Sequence, residues 1–166
     1  MSSLARTLLV ITRGGVVDEV LCMGAIRATV VDYDAEGEED AVLIPQRVGR
    51  ARPAIVSEDV QVENADRVKE MIRVLPTPED DGKAHGDATP GQAQAMIVVE
   101  GGVVQNVVTD RPLHLILVDH DIDGLDEDEE AELVTLPRGR AMADWSSVEV
   151  DPAEVHRMQA LCSAQG

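Results

Sequence analysis

Short aliphatic runs alternate with glycine-marked turns along this chain, a pattern typical of β-strands joined by hairpins. The runs predict strands over residues 8–12, 16–21, 28–31 and 42–44, and again over 96–99, 103–108, 113–118 and 133–136. Gly14-Gly15 and Gly101-Gly102 separate the first two strands of each set. Glycine pairs suit tight hairpin turns because their residues adopt positive φ.

A helical spacing of apolar residues closes each set of strands. Val68, Met71 and Leu75 recur at helical intervals, and Val155 and Met158 do the same near the end of the chain. Asp151-Pro152 places a capping acid before a proline suited to the first helical position. The spacing predicts helices over residues 64–75 and 152–163.

The two sets of elements resemble each other. When the chain is displaced by 87 residues, residues 10–37 align with 97–124 without a gap, and nine of the 28 aligned positions are identical. We therefore predict an α+β fold, a tandem duplication of a β-meander of three to four antiparallel strands followed by one C-terminal helix. Residues 1–75 form the first ββββα repeat, 76–95 a flexible linker rich in Pro, Gly and acids, and 96–166 the second repeat. Whether the repeats form one sheet or two domains stays open.

The net charge of −18 disfavours direct binding of nucleic acid, whose affinity comes from Lys and Arg neutralising phosphates. It favours a basic protein surface as partner, for example that of a DNA- or RNA-binding protein. We find no signal-peptide pattern and no apolar run long enough to span a membrane, so we expect no membrane partner. The two cysteines lack metal or redox spacing. We therefore expect a cytoplasmic protein whose oligomeric state is open.

An acidic loop in the second repeat matches the pattern of a calcium loop. Asp119, Asp121 and Asp123 alternate, Gly124 follows, and Glu130 occupies the twelfth position. Alternate side chains of such a loop converge on one cation, and the last Glu binds with both oxygens. Calcium, bound by these four carboxylates, is the one cofactor we consider; the alternative is a solvated acidic turn. The first repeat has Leu43 at the twelfth position.

Several other residues are candidates for partner binding. They are the acids that follow the loop, an arginine from each repeat and the only tryptophan: Asp126, Glu127, Asp128, Glu129, Arg50, Arg140 and Trp145. Arginine pairs with anionic groups bidentately, and tryptophan often anchors interfaces. The alternatives are arginines that pair with the nearby acidic loops and a tryptophan that fills the core. We predict no catalytic residues and no enzymatic activity, a metal-dependent hydrolase being the exception we consider, because no nucleophile, base and orienting group occur together.

The string from Ile97 to Val108, followed by Leu117-Val118-Asp119-His120-Asp121, resembles a short module that recurs in uncharacterised bacterial proteins, many encoded near plasmid or phage genes. The resemblance implies an accessory role on a mobile element and no established activity. Together with the charge, it favours a non-enzymatic, acidic protein-binding module, in its sharpest form an inhibitor that mimics nucleic acid. The alternative is a calcium-binding module that uses the Asp119–Glu130 loop.

Overall fold

The computed structural model describes residues 6–35, 37–46, 48–75, 91–131, 133–136 and 139–164, without the side chains of residues 130, 131 and 162–164. The first half contains six strands and one helix: β1 Thr7–Arg13, β2 Val16–Met23, β3 Ile26–Asp32, β4 Val42–Ile44, β5 Arg52–Ser57, β6 Gln61–Glu63 and α1 Ala65–Val74. The second half contains six strands and two helices: β7 Ala93–Glu100, β8 Val103–Thr109, β9 His114–Asp119, α2 Glu127–Ala131, β10 Val134–Leu136, β11 Gly139–Ser146, β12 Glu149–Val150 and α3 Pro152–Ala164.

These strands form two six-stranded sheets, and each sheet contains strands from both halves. The order in the first sheet is β10-β11-β9-β1-β2-β6, and the order in the second sheet is β12-β8-β7-β3-β5-β4. The halves meet through parallel pairs at the centre of each sheet, β1 with β9 and β3 with β7. The α+β class is therefore confirmed, and the halves share both sheets.

The predicted meander is wrong, because β3 does not pair with β2. After the β1–β2 hairpin the chain passes through Gly24 and enters the other sheet. The physical reason lies in β1, which is buried at six of its seven positions. A meander would leave β1 at an edge, whereas pairing with β9 gives it a neighbour on both sides.

Two further predictions need correction. Residues after β4 and β10, where the sequence pattern predicts no strand, contain the strands β5 and β11, which pair with β3 and β9. The expected linker overlaps β7 at Ala93 and Ala95, which are buried and continue the parallel pairing with β3. The rest of that predicted linker, residues 76–90, lies outside the described residues.

The elements stack in four layers, α1, first sheet, second sheet and α3, with apolar residues in each gap. The central cluster lies between the sheets and includes Leu8, Val10, Ile97, Val99 and Leu115. On the outer face of the first sheet, Val68 and Met71 of α1 pack against the strands. On the outer face of the second sheet, Val155 and Met158 of α3 do the same. The buried core is therefore aliphatic, with Tyr33 and Trp145 packed at its margins.

Both predicted helices are confirmed, as is the predicted cap at Asp151, while Asn64, predicted as the first residue of its helix, is the cap of α1. The Asn64 side chain accepts a hydrogen bond from the backbone N–H of Arg67 at 3.1 Å, and the Asp151 side chain accepts one from Glu154 N–H at 3.0 Å. Each bond satisfies a donor that the first turn of a helix leaves unpaired. Among the described helices, none is long and apolar enough to span a membrane.

Candidate functional site: the acidic end of the sandwich

The two glycine turns touch each other at one end of the sandwich. Gly15 and Gly102 have φ of +75° and +72°, the conformation that the sequence predicts for these turns. A Cβ placed on Gly102 would lie 3.4 Å from the Gly15 Cα atom. The contact brings the β1–β2 turn of one sheet against the β7–β8 turn of the other.

Two aspartates clamp these turns from the opposite halves of the chain. The Asp121 carboxylate accepts from Gly14 N–H at 2.8 Å and from Gly15 N–H at 2.9 Å. In the other sheet, the Asp34 carboxylate accepts from Gly101 and Gly102 at 2.9 and 2.8 Å. We missed this role in the sequence, although a signal was present. The motifs Asp32-Tyr33-Asp34 and Asp119-His120-Asp121, which we call the Asp-x-Asp motifs, follow the Gly-Gly pairs of their own halves at the same distance.

The first aspartate of each Asp-x-Asp motif shapes the turn that the second one uses. The Asp32 Oδ1 atom accepts from Asp34 N–H at 2.9 Å, and the Asp119 Oδ1 atom accepts from Asp121 N–H at 2.8 Å. Such local side chain to backbone bonds hold the backbone in a turn. Each motif therefore forms a fixed loop at the end of a central strand.

These contacts gather the acidic loops of both halves at one end, which we call the acidic end: residues 32–35, 37–40 and 119–129. Because β3 is parallel to β7 and β9 is parallel to β1, each acidic loop leaves its sheet at the same end as the glycine turn that it binds. The segments of the acidic end themselves contain no Lys or Arg, although Arg13 lies near Asp121 and Arg52 near Asp34. The carboxylates of the acidic end are Asp32, Asp34, Glu38, Glu39, Asp40, Asp119, Asp121, Asp123, Asp126, Glu127, Asp128 and Glu129.

The acidic residues that the sequence singles out for partner binding lie on a short capped helix. Asp126 Oδ1 accepts from Glu129 N–H at 2.9 Å, and Glu129 Oε2 accepts from Asp126 N–H at 3.0 Å. This reciprocal pair is a capping box at the start of α2. Asp126 and Glu129 therefore hold the helix, while Glu127 and Asp128 are exposed beside them.

The two candidate arginines lie on hairpins that extend past the acidic end. Residues 55–57 of β5 pair with β3, up to Asp32 at the end of that strand. Residues 52–54 of β5 continue past this point and pair with β4. β10 and β11 extend past β9 in the same way. Arg50, after β4, and Arg140, in β11, are both exposed there. The fold thus brings both arginines to the same end as the acids.

Arg52 pairs with an acid beside the glycine turn of the opposite half. Its guanidinium contacts the Glu100 carboxylate at 2.5 Å and stacks 4.5 Å from the centre of the Tyr33 ring. The hydrogen bond to Glu100 raises the pKa of Arg52. Arg52, two residues after the candidate Arg50, is therefore engaged within the protein.

Trp145 lies apart from the acidic end. It is half-buried, packs against the cluster under α1, and meets the His114 ring edge to face at 5.9 Å between ring centres. In the β9–β11 pairing Trp145 lies opposite Ile116, and Ile116 precedes Asp119 by three residues in β9. Trp145 therefore lines the core of the first sheet.

The four candidate calcium ligands are only partly brought together. Asp119 and Asp121 lie in one loop, where both Asp121 oxygens accept from backbone N–H donors. The Glu130 side chain lies outside the described residues, and among those described no group of three or more His, Cys, Asp or Glu is placed to hold a metal ion. Calcium binding stays a prediction, which a calcium-specific rise in Tm, lost in Asp119→Asn, would support.

A cleft of about 230 Å³ opens next to the acidic end, between α1, β1 and β10. Its apolar surface comes from Leu9, Ile11, Met71, Val74 and Leu136, and its polar rim from Asp18, Glu19, Arg67, Glu70, His120 and Thr135. Arg67 contacts Glu19 at 2.6 Å, which ties α1 to β2. No local pattern in the sequence marks this cleft, because residues from four separate elements line it.

The two aspartate clamps predict a pH-dependent stability. Hydrogen bonds from Gly102 and Gly101 lower the pKa of Asp34, and those from Gly15 and Gly14 lower the pKa of Asp121, below the ordinary 3.8. A carboxylate with a lower pKa in the folded state stabilises the fold above its unfolded-state pKa. This contribution is lost as the pH falls through the folded-state value.

We therefore expect the double variant Asp34→Asn/Asp121→Asn to melt below the wild type near neutral pH. The difference in Tm should begin to shrink as the pH falls below about 4, near the pKa of an aspartate in the unfolded state, and should be lost as the pH falls through the lower folded-state pKa. Asp123→Asn/Asp128→Asn is the matched control, since both residues are exposed acids of the same end. A difference in Tm that stays constant down to pH ~2 would contradict the clamp.

Comparison with protein-family models, curated proteins and solved structures finds no match to this chain. The candidate function therefore rests on the geometry and charge of the acidic end.

Proposed function

We propose that the protein is a non-enzymatic binding module whose acidic end contacts the basic surface of a partner protein. The observation that carries this proposal is the clamping of both acidic loops around the touching glycine turns. Because Asp34 and Asp121 hold the loops of opposite halves at one point, acids far apart in the sequence form one surface. A clustered negative surface attracts basic surfaces and accelerates their association.

The rigidity of this surface supports the proposal. The Asp-x-Asp turns and the α2 capping box fix the backbone beneath the exposed carboxylates. A surface that is ordered before binding loses less conformational entropy on association. A DNA- or RNA-binding protein, whose groove is built to receive phosphates, is the class of partner that this charge favours, and occupying that groove would make the protein a nucleic-acid mimic.

The repeated geometry supports our proposal that the chain arose by tandem duplication. The hydrogen bonds from Gly14 to Asp121 and from Gly101 to Asp34 connect equivalent positions of the 87-residue alignment. The same alignment relates β1 to β7 and β3 to β9. The parallel pair β1–β9 in the first sheet is therefore equivalent to the pair β7–β3 in the second sheet. Duplication of one acidic loop would thus have doubled the charge at one end.

The proposal is tested by measuring the affinity of a fluorescent polylysine peptide at graded salt. We expect saturable binding that weakens steeply between about 0.05 and 0.5 M salt, because exposed charges are screened over this range. Glu127→Gln/Asp128→Asn should weaken binding, since these acids are exposed and Asp126 and Glu129 keep the cap of α2.

The matched control neutralises two exposed acids away from the acidic end, Glu58→Gln/Glu63→Gln. It removes the same charge, so a purely global effect of acidity predicts equal loss in both variants. Equal loss, or binding that is independent of salt, would overturn the proposal.

A further inference from the structure

Helices α1 and α3, which cover the outer faces of the two sheets, have reversed charges at two equivalent positions. Val68 and Met71 of α1 align with Val155 and Met158 of α3, so Glu70 aligns with Arg157 and Arg67 aligns with Glu154. Arg157 donates to the Pro45 carbonyl oxygen at 2.9 Å and pairs with Glu154 at 2.7 Å. On the α3 side, a guanidinium therefore bridges the helix and the end of β4.

On the α1 side the same position has the opposite charge. Glu70 lines the cleft of about 230 Å³ between α1, β1 and β10, where Asp18 and Glu19 also lie. Arg67 contributes a positive charge that Glu19 pairs at 2.6 Å. The described rim therefore carries three carboxylates, Asp18, Glu19 and Glu70, against one arginine.

The apolar part of the cleft suits the stem of a long side chain. Leu9, Ile11 and Met71 form the floor of the cleft and are at most 7% exposed, whereas its accessible apolar surface comes from Val74, which is 49% exposed, and the half-buried Leu136. Arginine and lysine lay their methylene groups on such apolar surface while the charged head stays at the polar rim. A volume of about 230 Å³ is below the range of drug-sized sites and suits a single side chain.

We propose that this cleft receives an arginine side chain of the partner, with its guanidinium at Glu70 and its stem on Val74 and Leu136. The inference rests on the proposed function, because the cleft adjoins the acidic end at His120. Arginine is favoured over lysine because its planar guanidinium binds carboxylates through two hydrogen bonds, as Arg157 binds Glu154 within this protein. The cleft thus supplies an anchoring point within a surface that otherwise acts through charge.

The test is an NMR titration of the full chain with n-butylguanidinium, and with 1-pentanol as an uncharged ligand of similar length. We expect saturable amide shifts over residues 67–74 and 134–136 with the guanidinium, and much weaker ones with pentanol. Glu70→Gln should raise the Kd about tenfold, the loss of a hydrogen bond between charged groups. Glu70→Arg, which reverses the charge at this position, should abolish binding. Equal shifts with both ligands, or an unchanged Kd in Glu70→Gln, would overturn the proposal.

A control variant separates this proposal from the proposed function. Glu127→Gln/Asp128→Asn should keep the Kd for n-butylguanidinium within about twofold, because solvent screens charges beyond roughly 8 Å. If polylysine binds at the acidic end while n-butylguanidinium does not bind at all, the cleft proposal fails and the proposed function stands. If n-butylguanidinium binds in a Glu70-dependent way while polylysine does not bind, the cleft proposal is supported and the proposed function fails.

Discussion

Residues 1–75 and 91–166, produced as two separate chains, are each expected to be unfolded and to fold only when mixed. β1 has its central neighbour β9 in the other half, and β3 has β7 there. A lone half would therefore expose the edges of strands that are buried along most of their length. It would also lack half of the cluster between the sheets, to which both halves contribute.

Circular dichroism and the melting curve of each half, alone and mixed, measure this effect. The matched control is the full chain cleaved once between residues 76 and 90, which should keep its fold because the two parts begin already paired. Mixing should restore the transition at high protein concentration, since association costs translational and rotational entropy that the intact chain does not pay. Cooperative melting of either half alone would contradict the shared sheets.

Leu115→Ala is expected to destabilise the protein by about 2–5 kcal/mol, a large share of the ~5–15 kcal/mol typical of native domains. Leu115 is 1% exposed and lies in the cluster between the sheets. Truncation removes buried methyl groups and leaves a cavity that the rigid sheets fill only partly. Urea denaturation measures the change in free energy of unfolding.

Leu43→Ala is the matched control, the same substitution at a residue that is 62% exposed in β4. It should change the stability by about 0.5 kcal/mol or less. Equal losses in the two variants would mean that Leu115 is not buried between the sheets.

The sequence predicted the local elements of this fold and failed on their partners. Glycine turns, aliphatic runs and helix caps are local signals, so the hairpins at Gly14-Gly15 and Gly101-Gly102 and both long helices are confirmed. The step from β2 to β3 spans only Gly24 and Ala25, which is the length of a hairpin turn. The path into the other sheet depends on burial of β1 by β9, an interaction between distant residues that no local pattern records.

The candidate site shows the same division. The sequence singles out Asp119 and Asp121 by their spacing, which suits a cation as well as a backbone turn. Only the approach of Gly14 and Gly15 from the other half shows that Asp121 uses both oxygens on backbone N–H groups. The convergence of the two acidic loops likewise requires the pairing of the sheets.

We propose that the acidic end is the surface that meets a basic partner, and amide NMR mapping with polylysine at low salt tests this most directly. We expect shifts concentrated at residues 37–40 and 121–129 and at the two glycine turns between them. Shifts spread evenly over acids elsewhere, such as Glu58, Glu63 and Glu149, or the absence of any saturable shift, would contradict it.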